Sequence, residues 1–202
     1  MTIVVRIDAS RPDAGKINEA ASVLRNGGLV GFPTETVYGL GANLFDARAV
    51  KKLYKIKNRP LNKPLTVHIA GPEDVKKMAG RIPLKAARLM KKYWPGPLTL
   101  VLKDKRGRKT GFRMPDNRIA LKLIRAAGVP VVAPSANISG NKPPVSAKEV
   151  LRDLDGMIEV VIDGGRTKIG KESTVVDMSG RKPVILREGA IPGPKICEVA
   201  DG

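Results

Sequence analysis

Apolar positions along this chain come in two rhythms, and their alternation predicts an α/β protein. Short β-favouring runs, Ile3 to Ile7, Leu29 to Phe32, Leu65 to Ala70, Leu98 to Leu102, Val129 to Ala133, Ile158 to Ile162, Ser173 to Met178 and Pro183 to Leu186, read as strands. Between them the period lengthens. Ile17, Ala20, Ala21 and Leu24 share one helical face behind Arg11-Pro12-Asp13 and stop at Gly27-Gly28. Asp46 can cap a helix with Ala49, Val50, Leu53 and Tyr54 inward and Lys51, Lys52 and Lys55 outward, and Pro60 and Pro64 forbid its continuation. Pro83 to Tyr93 reads as a basic helix halted by Pro95-Gly96-Pro97. Asp116 can cap another, with Ile119, Leu123, Ile124 and Ala127 inward and Gly128 as its left-handed stop. Ser146-Ala147-Lys148-Glu149 has the spacing of a capping box and opens a helix to about Leu154. Asp104 to Gly111 and Ser179 to Lys182 read as polar turns, the second joining the last two strands as a hairpin. No repeat or low-complexity linker intervenes, so the pattern predicts one domain over residues 1–202, a twisted open mixed sheet flanked by helices.

Composition narrows the class. A length of 202 residues agrees with one domain, and 42% hydrophobic with 28% charged residues describes a soluble globular chain. Aromatic residues make up only 3%, so the core has to be aliphatic. The single cysteine, Cys197, can form neither an internal disulfide nor a cysteine zinc site. MTIVVRIDAS holds no signal-like apolar run, and no segment nears the roughly 20 apolar residues of a membrane span. A cytoplasmic protein is the expectation. Charge changes the picture more: of a net +18, the window Arg81 to Pro130 holds +12, fourteen basic residues against Asp104 and Asp116. A field of one sign gathers polyanions such as nucleotides or RNA, or merely keeps a surface solvated.

Two nucleotide signatures are approached and missed. Gly165 to Lys171 has P-loop spacing, but Glu172 stands at the Ser/Thr position and a strand follows where a helix is needed. Gly39-Leu40-Gly41 begins a dinucleotide fingerprint in which Leu44 replaces the third glycine. Histidine, cysteine and carboxylate residues show no metal-ligand spacing, and His68 is the only histidine; no protein metal site and no two-histidine mechanism is expected. More informative are strand ends that turn polar. Leu29 to Phe32 runs into Pro33 to Gly41, and Val131 to Ala133 into Pro134 to Gly140, which places small hydroxyl and amide groups where open α/β sheets bind ligands. Either segment alone also fits turn chemistry, as Lys57-Asn58-Arg59 fits charge compensation at a helix C-terminus.

The ordered combination is more specific. PTETVYGLGAN, KNRP, KPLTVHIA, FRMP, APSANISG, GKESTVVD and ILREGAI together resemble the YrdC family of threonylcarbamoyl-AMP synthases over about residues 27–191. The resemblance implies the YrdC-like fold and a nucleotidyltransferase that uses L-threonine, bicarbonate and ATP with Mg²⁺. Its product, made with release of pyrophosphate, would feed the threonylcarbamoyladenosine modification of tRNA through a downstream transferase. Longer members carry a second domain after a linker, and an end soon after Ile191 is expected of the single-domain form. By motif matching, Lys57, Arg59, Ser135 and Asn137 are the implied catalytic set. Arg59, Lys63, Ser135, Asn137, Pro143 and Arg187 are the implied ATP contacts, and Thr36, His68, Arg113 and Ser173 the implied threonine pocket. The basic stretch Lys103 to Lys109 is expected to touch no substrate and to be available to tRNA.

Those residue types suit the reaction. A carbamate is already an anionic nucleophile and needs no triad; attack on the α-phosphorus crowds negative charge that Lys57, Arg59, Lys63 and Arg187 could stabilise. Arg113 is expected to grip the amino acid's carboxylate bidentately, with hydroxyls from Thr36 and Ser173 reading the rest. The metal would travel on the triphosphate with water and few protein ligands. Two other readings share the fold: an RNA-binding protein without adenylation activity, and a carbamoyl-transfer module like that of hydrogenase maturation proteins. The latter sits in much longer chains with zinc motifs.

Overall fold

In the computed structural model, which describes residues 1–202, the strands are β1 (Ile3–Arg6), β2 (Val30–Phe32), β3 (Gly39–Asn43), β4 (Thr66–His68), β5 (Leu98–Lys103), β6 (Lys109–Arg113), β7 (Val131–Val132), β8 (Val160–Asp163), β9 (Thr174–Asp177) and β10 (Val184–Arg187). They join into one mixed sheet in the order β1-β8-β2-β3-β7-β4-β6-β5-β9-β10. The helices are α1 (Ala14–Arg25), α2 (Ala47–Ile56), α3 (Pro72–Met78), α4 (Leu84–Tyr93), α5 (Arg118–Ala127), α6 (Ala147–Leu154) and α7 (Gly193–Asp201). None is long and apolar enough to cross a membrane.

Two apolar clusters lie on the sheet. Ile17, Ala20, Ala21 and Leu24 of α1 and Ile119, Leu123, Ile124 and Ala127 of α5 pack with Phe32, Val131 and Ile162 in one. Leu53 of α2, Leu89 of α4, Val150 and Leu154 of α6 and Ile196 of α7 pack with Leu100, Phe112 and Val176 in the other. Side chains alternate across a strand, so this division decides where a site can form. On β4, β6, β5 and β9, the residues Val67, Phe112, Leu100 and Val176 enter the larger cluster, and their neighbours Thr66, His68, Arg113, Thr99 and Val175 face the other way, where α1 and α5 do not reach. That uncovered face becomes the floor of a cavity.

Several elements differ from the periodicity reading, each for a physical reason. The stretch expected as a polar loop after Phe32 contains the fully buried β3, paired antiparallel to β2 and β7. Its glycines serve close approach: a Cβ on Gly41 would come within 3.1 Å of the Phe32 ring. The expected turn from Asp104 to Gly111 is shorter, because Lys109–Arg113 is β6 and pairs with β5. Asp116 does not cap α5; the Asn117 side chain accepts from the Ala120 N–H at 3.1 Å. In the box at α6, Ser146 Oγ accepts from Glu149 N–H as expected, but the Glu149 carboxylate accepts from the N–H of Val145, one residue earlier. The strand at 129–133 shortens to two residues between Pro130 and Pro134. The periodicity does not announce α3 or α7: α3 is one short segment opened by Pro72, and α7 starts in a Gly-Pro pair.

Candidate active site

Floor and walls enclose a cavity of about 400 Å³. Its floor is built by register. β4 and β6 run parallel with Thr66 opposite Gly111 and His68 opposite Arg113, while β5 and β9 run parallel with Thr99 opposite Val175. Gly111 leaves room at the centre, since a Cβ there would come within 3.2 Å of Thr66 Oγ1. β10 adds the far wall through an irregularity between Ile185 and Arg187, which brings consecutive residues Leu186 and Arg187 onto the same cavity.

One end of the cavity is buried. Arg113, 5% exposed, donates from Nη2 to Glu35 Oε1 at 2.9 Å and to Thr36 Oγ1 at 2.7 Å, and from Nε to the Gly96 carbonyl at 3.4 Å. Its Nη1 carries no hydrogen bond within the chain. Thr36 Oγ1 lies 2.9 Å from Thr34 Oγ1, which donates to the Val37 carbonyl at 2.6 Å. The direction of that relay is therefore fixed: Arg113 to Thr36, Thr36 to Thr34, Thr34 to backbone. Glu35 is 3% exposed, and its Oε2 has no partner. His68 packs edge-on to Phe32. Burial, reinforced by the Arg113 charge, pushes its pKa down to about 3, so the imidazole is neutral. Ser173 Oγ and Thr99 Oγ1 share a hydrogen bond of 2.9 Å in the same floor.

The other end is half-open and cationic. Arg59 is held at the end of α2 by bonds to the carbonyls of Lys63 (3.1 Å) and Pro64 (2.9 Å). Arg187 straddles Ser173, giving Nε and Nη2 to its carbonyl at 3.1 and 2.9 Å, while Nη1 donates to Glu172 Oε1 at 2.7 Å. Lys63 lines the same wall with Asn62 and Ser135. Four cations, Arg59, Lys63, Arg113 and Arg187, thus meet one carboxylate, Glu172.

Lys57 behaves unlike the others. It is 1% exposed, does not line the cavity, and its ammonium donates to the backbone carbonyls of Ser135 and Asn137. Burial, with the neighbouring Arg59 charge, lowers its pKa to about 8. Asn137 also lies beneath the wall, its amide donating to the carbonyls of Ile138 (2.9 Å) and Asn141 (2.8 Å) with Oδ1 unpartnered.

The structure brings Arg59, Lys63, His68, Arg113, Ser135, Ser173 and Arg187 to one cavity. It places Lys57, Thr36 and Asn137 one layer behind it and leaves Pro143, in the loop before α6, off its lining. The bidentate grip expected of Arg113 through two nitrogens is corrected: Glu35 and Thr36 take both Nη2 hydrogens, Nε is given to Gly96, and Nη1 alone is left without a partner in the chain. Thr34, Thr66, Thr99 and Glu172 also line the cavity. A threonine at alternate positions of otherwise apolar strands was the available signal for Thr66 and Thr99; Glu172 carried none beyond its failure to fit a P-loop.

A family model described as telomere recombination, covering Sua5, YciO and YrdC, matches residues 22–189. The chain is 48% identical to the threonylcarbamoyl-AMP synthase of Pyrococcus abyssi over 98% of its own length and 61% of that protein's. For the Bacillus subtilis threonylcarbamoyl-AMP synthase the identity is 48% over 90% of this chain and 55% of that one. The chain therefore spans somewhat over half the length of these relatives. Among solved structures, P. abyssi Sua5 complexed with L-threonine aligns with a TM-score of 0.94 at 47% identity, over 98% of this chain and 61% of that one. Escherichia coli YciO aligns at 0.85 and 28% identity, over 94% and 96%.

Proposed function

Since the chain belongs to the Sua5–YciO–YrdC family, we propose that it is a threonylcarbamoyl-AMP synthase. L-threonine, bicarbonate and ATP would give threonylcarbamoyl-AMP and pyrophosphate, in the cytoplasm, for a tRNA-modifying transferase. The observation that carries this reading is the two-ended cavity, with a buried arginine offering one free edge beside hydroxyls at one end and half-exposed cations at the other.

At the buried end Arg113 Nη1 takes the threonine carboxylate. Glu35 and Thr36 hold the guanidinium so that this edge is presented without reorganisation. Thr36 acts here as a positioning residue behind Arg113. His68 offers a hydrogen bond without adding charge, and the Thr99–Ser173 hydroxyl pair reads the polar side of the amino acid. The threonine ammonium condenses with bicarbonate to a carbamate, releasing water and one proton. A carbamate oxygen then bonds to the α-phosphorus as the bond to the β-phosphate's bridging oxygen breaks, and pyrophosphate leaves with that electron pair.

At the open end Arg59, Lys63 and Arg187 bind the phosphates and stabilise the charge that builds there. Lys57 is a positioning residue: its ammonium fixes the carbonyls of Ser135 and Asn137, and so the wall from which the Ser135 hydroxyl projects. ATP enters as its Mg²⁺ complex. No three metal-ligating side chains gather anywhere in the fold and Glu172 is the one carboxylate on the wall, a donor set that fits an ion carried by phosphates and water.

The decisive experiment incubates the protein with MgATP and detects the adduct by mass. Threonylcarbamoyl-AMP should form only when L-threonine and bicarbonate are both present. Equal adduct formation with serine or valine, or none at all beside tight RNA binding, would replace this reading with the RNA-binding one.

A further inference from the structure

Glu172 has no part in the chemistry above, yet it sits where that chemistry gathers its charge. It is the single acid among the four cations on the cavity wall. Its Oε1 lies 2.7 Å from Arg187 Nη1, and the other two nitrogens of that guanidinium are already committed to Ser173. Nη1 thus carries the only N–H bonds of Arg187 not given to Ser173, and a carboxylate oxygen takes one of the two, setting its negative charge beside any ligand oxygen that approaches the other. The main chain beneath is fixed, with the Glu172 carbonyl accepting from Ala190 N–H at 2.9 Å, while its side chain is 33% exposed and has only this partner among the cations within bonding reach. The carboxylate also opposes proton loss from Lys57, Arg59 and Arg113, so its field extends across the phosphate end as a whole.

Resting on the synthase reading, we propose that Glu172 is a built-in competitor for phosphate: it holds the Arg187 Nη1 corner in the empty site, yields it to a phosphate oxygen when ATP binds, and recaptures it as pyrophosphate leaves. Glu172 is then a tuning residue for anion affinity. Its carboxylate lowers the affinity of Arg187 for every phosphate and so favours departure of the leaving group. Arg187 does not swing free during the exchange, because its bonds to the Ser173 carbonyl persist.

The experiment measures binding of pyrophosphate, and separately of ATP, by titration calorimetry to wild type, Glu172→Gln and Glu172→Asp, each with EDTA and with Mg²⁺. Removing one partly exposed competing charge should tighten pyrophosphate binding about three- to five-fold in Glu172→Gln, with the gain shrinking as salt rises. Glu172→Asp keeps the charge but draws it back from Nη1 and should fall between the two. Product inhibition of adduct synthesis by pyrophosphate should strengthen by the same factor in Glu172→Gln. Unchanged binding in both variants overturns the proposal, and weaker binding confined to Mg²⁺ overturns it in favour of a metal ligand. A wild-type protein that binds neither ATP nor pyrophosphate would overturn the synthase reading along with it.

Discussion

The two ends of the cavity solve recognition in opposite ways. At the buried end, Glu35, Thr36, His68, Arg113, Thr99 and Ser173 are each under 6% exposed, and nearly every donor has a partner inside the chain. At the open end, Arg59 rests on backbone carbonyls, Arg187 on the Ser173 carbonyl and the Glu172 carboxylate, and all three cations, Lys63 with them, are partly open to water. A small neutral or zwitterionic substrate gives little binding energy per contact, so its donors must be rigid and its neighbours dry. On the proposed reading the open end takes a triphosphate, which brings its own charge, so partly exposed cations in a higher dielectric suffice and also let it leave.

Substitutions can break that contrast, and the largest effect is expected at the buried end. Arg113→Ala strands the Glu35 carboxylate without its cation, which should lower unfolding free energy by about 3–5 kcal/mol and abolish threonine-dependent synthesis. Replacing the pair together, Glu35→Gln with Arg113→Met, should restore most of the stability in denaturant titrations while synthesis stays lost. A single variant with unchanged stability would mean the pair is not buried as described. At the open end Arg187→Ala should cost about 10²-fold in turnover while stability moves by no more than about 0.5 kcal/mol. Equal damage to both quantities would erase the distinction between the ends.

His68 sharpens the comparison through pH. Its folded pKa of about 3 lies below its ordinary 6.5, so between those values the unfolded chain binds a proton that the folded chain does not. Stability should therefore fall as pH drops from 6.5 toward 3, by up to about 1.4 kcal/mol per pH unit from this residue. His68→Asn should flatten that slope in denaturation series across the window; an unaltered slope would place the effect elsewhere. Smallest of all should be Lys105→Glu with Arg106→Glu. Both are exposed on the β5–β6 turn and off the cavity lining, and adduct synthesis at saturating ATP should stay within about two-fold. Any tRNA binding should weaken, with a flatter salt dependence. Lost synthesis would bring this turn into the site.

What could be read from the sequence follows the same physics. Helices α1, α2, α5 and α6 and the long apolar strands were legible because one side of each meets a core and the period survives in the residues. β3 and β6 were hidden, one because crowding against Phe32 required glycines that look like a loop, the other because its cavity-facing positions are Gly111 and Arg113, which break the apolar alternation. The cations of the site stood out by motif resemblance, but their depth did not. Nothing in KNR says that the lysine turns inward and the arginine outward; the C-terminus of α2 and the left-handed Asn58 between them decide it.

The inward turn of Lys57 reaches past binding. One ammonium ties the end of α2 to the loop that follows β7, so two segments 78 to 80 residues apart in the chain share a fastener with no covalent bond. Solvent-exposed lysines acylate readily; this one is shielded and its nitrogen occupied, so it should be the last lysine marked by an amine-reactive label. Opening that fastener frees the helix end and the loop in one event, and the amides of residues 136–139 should then trade their hydrogens for deuterium in step with the last turn of α2.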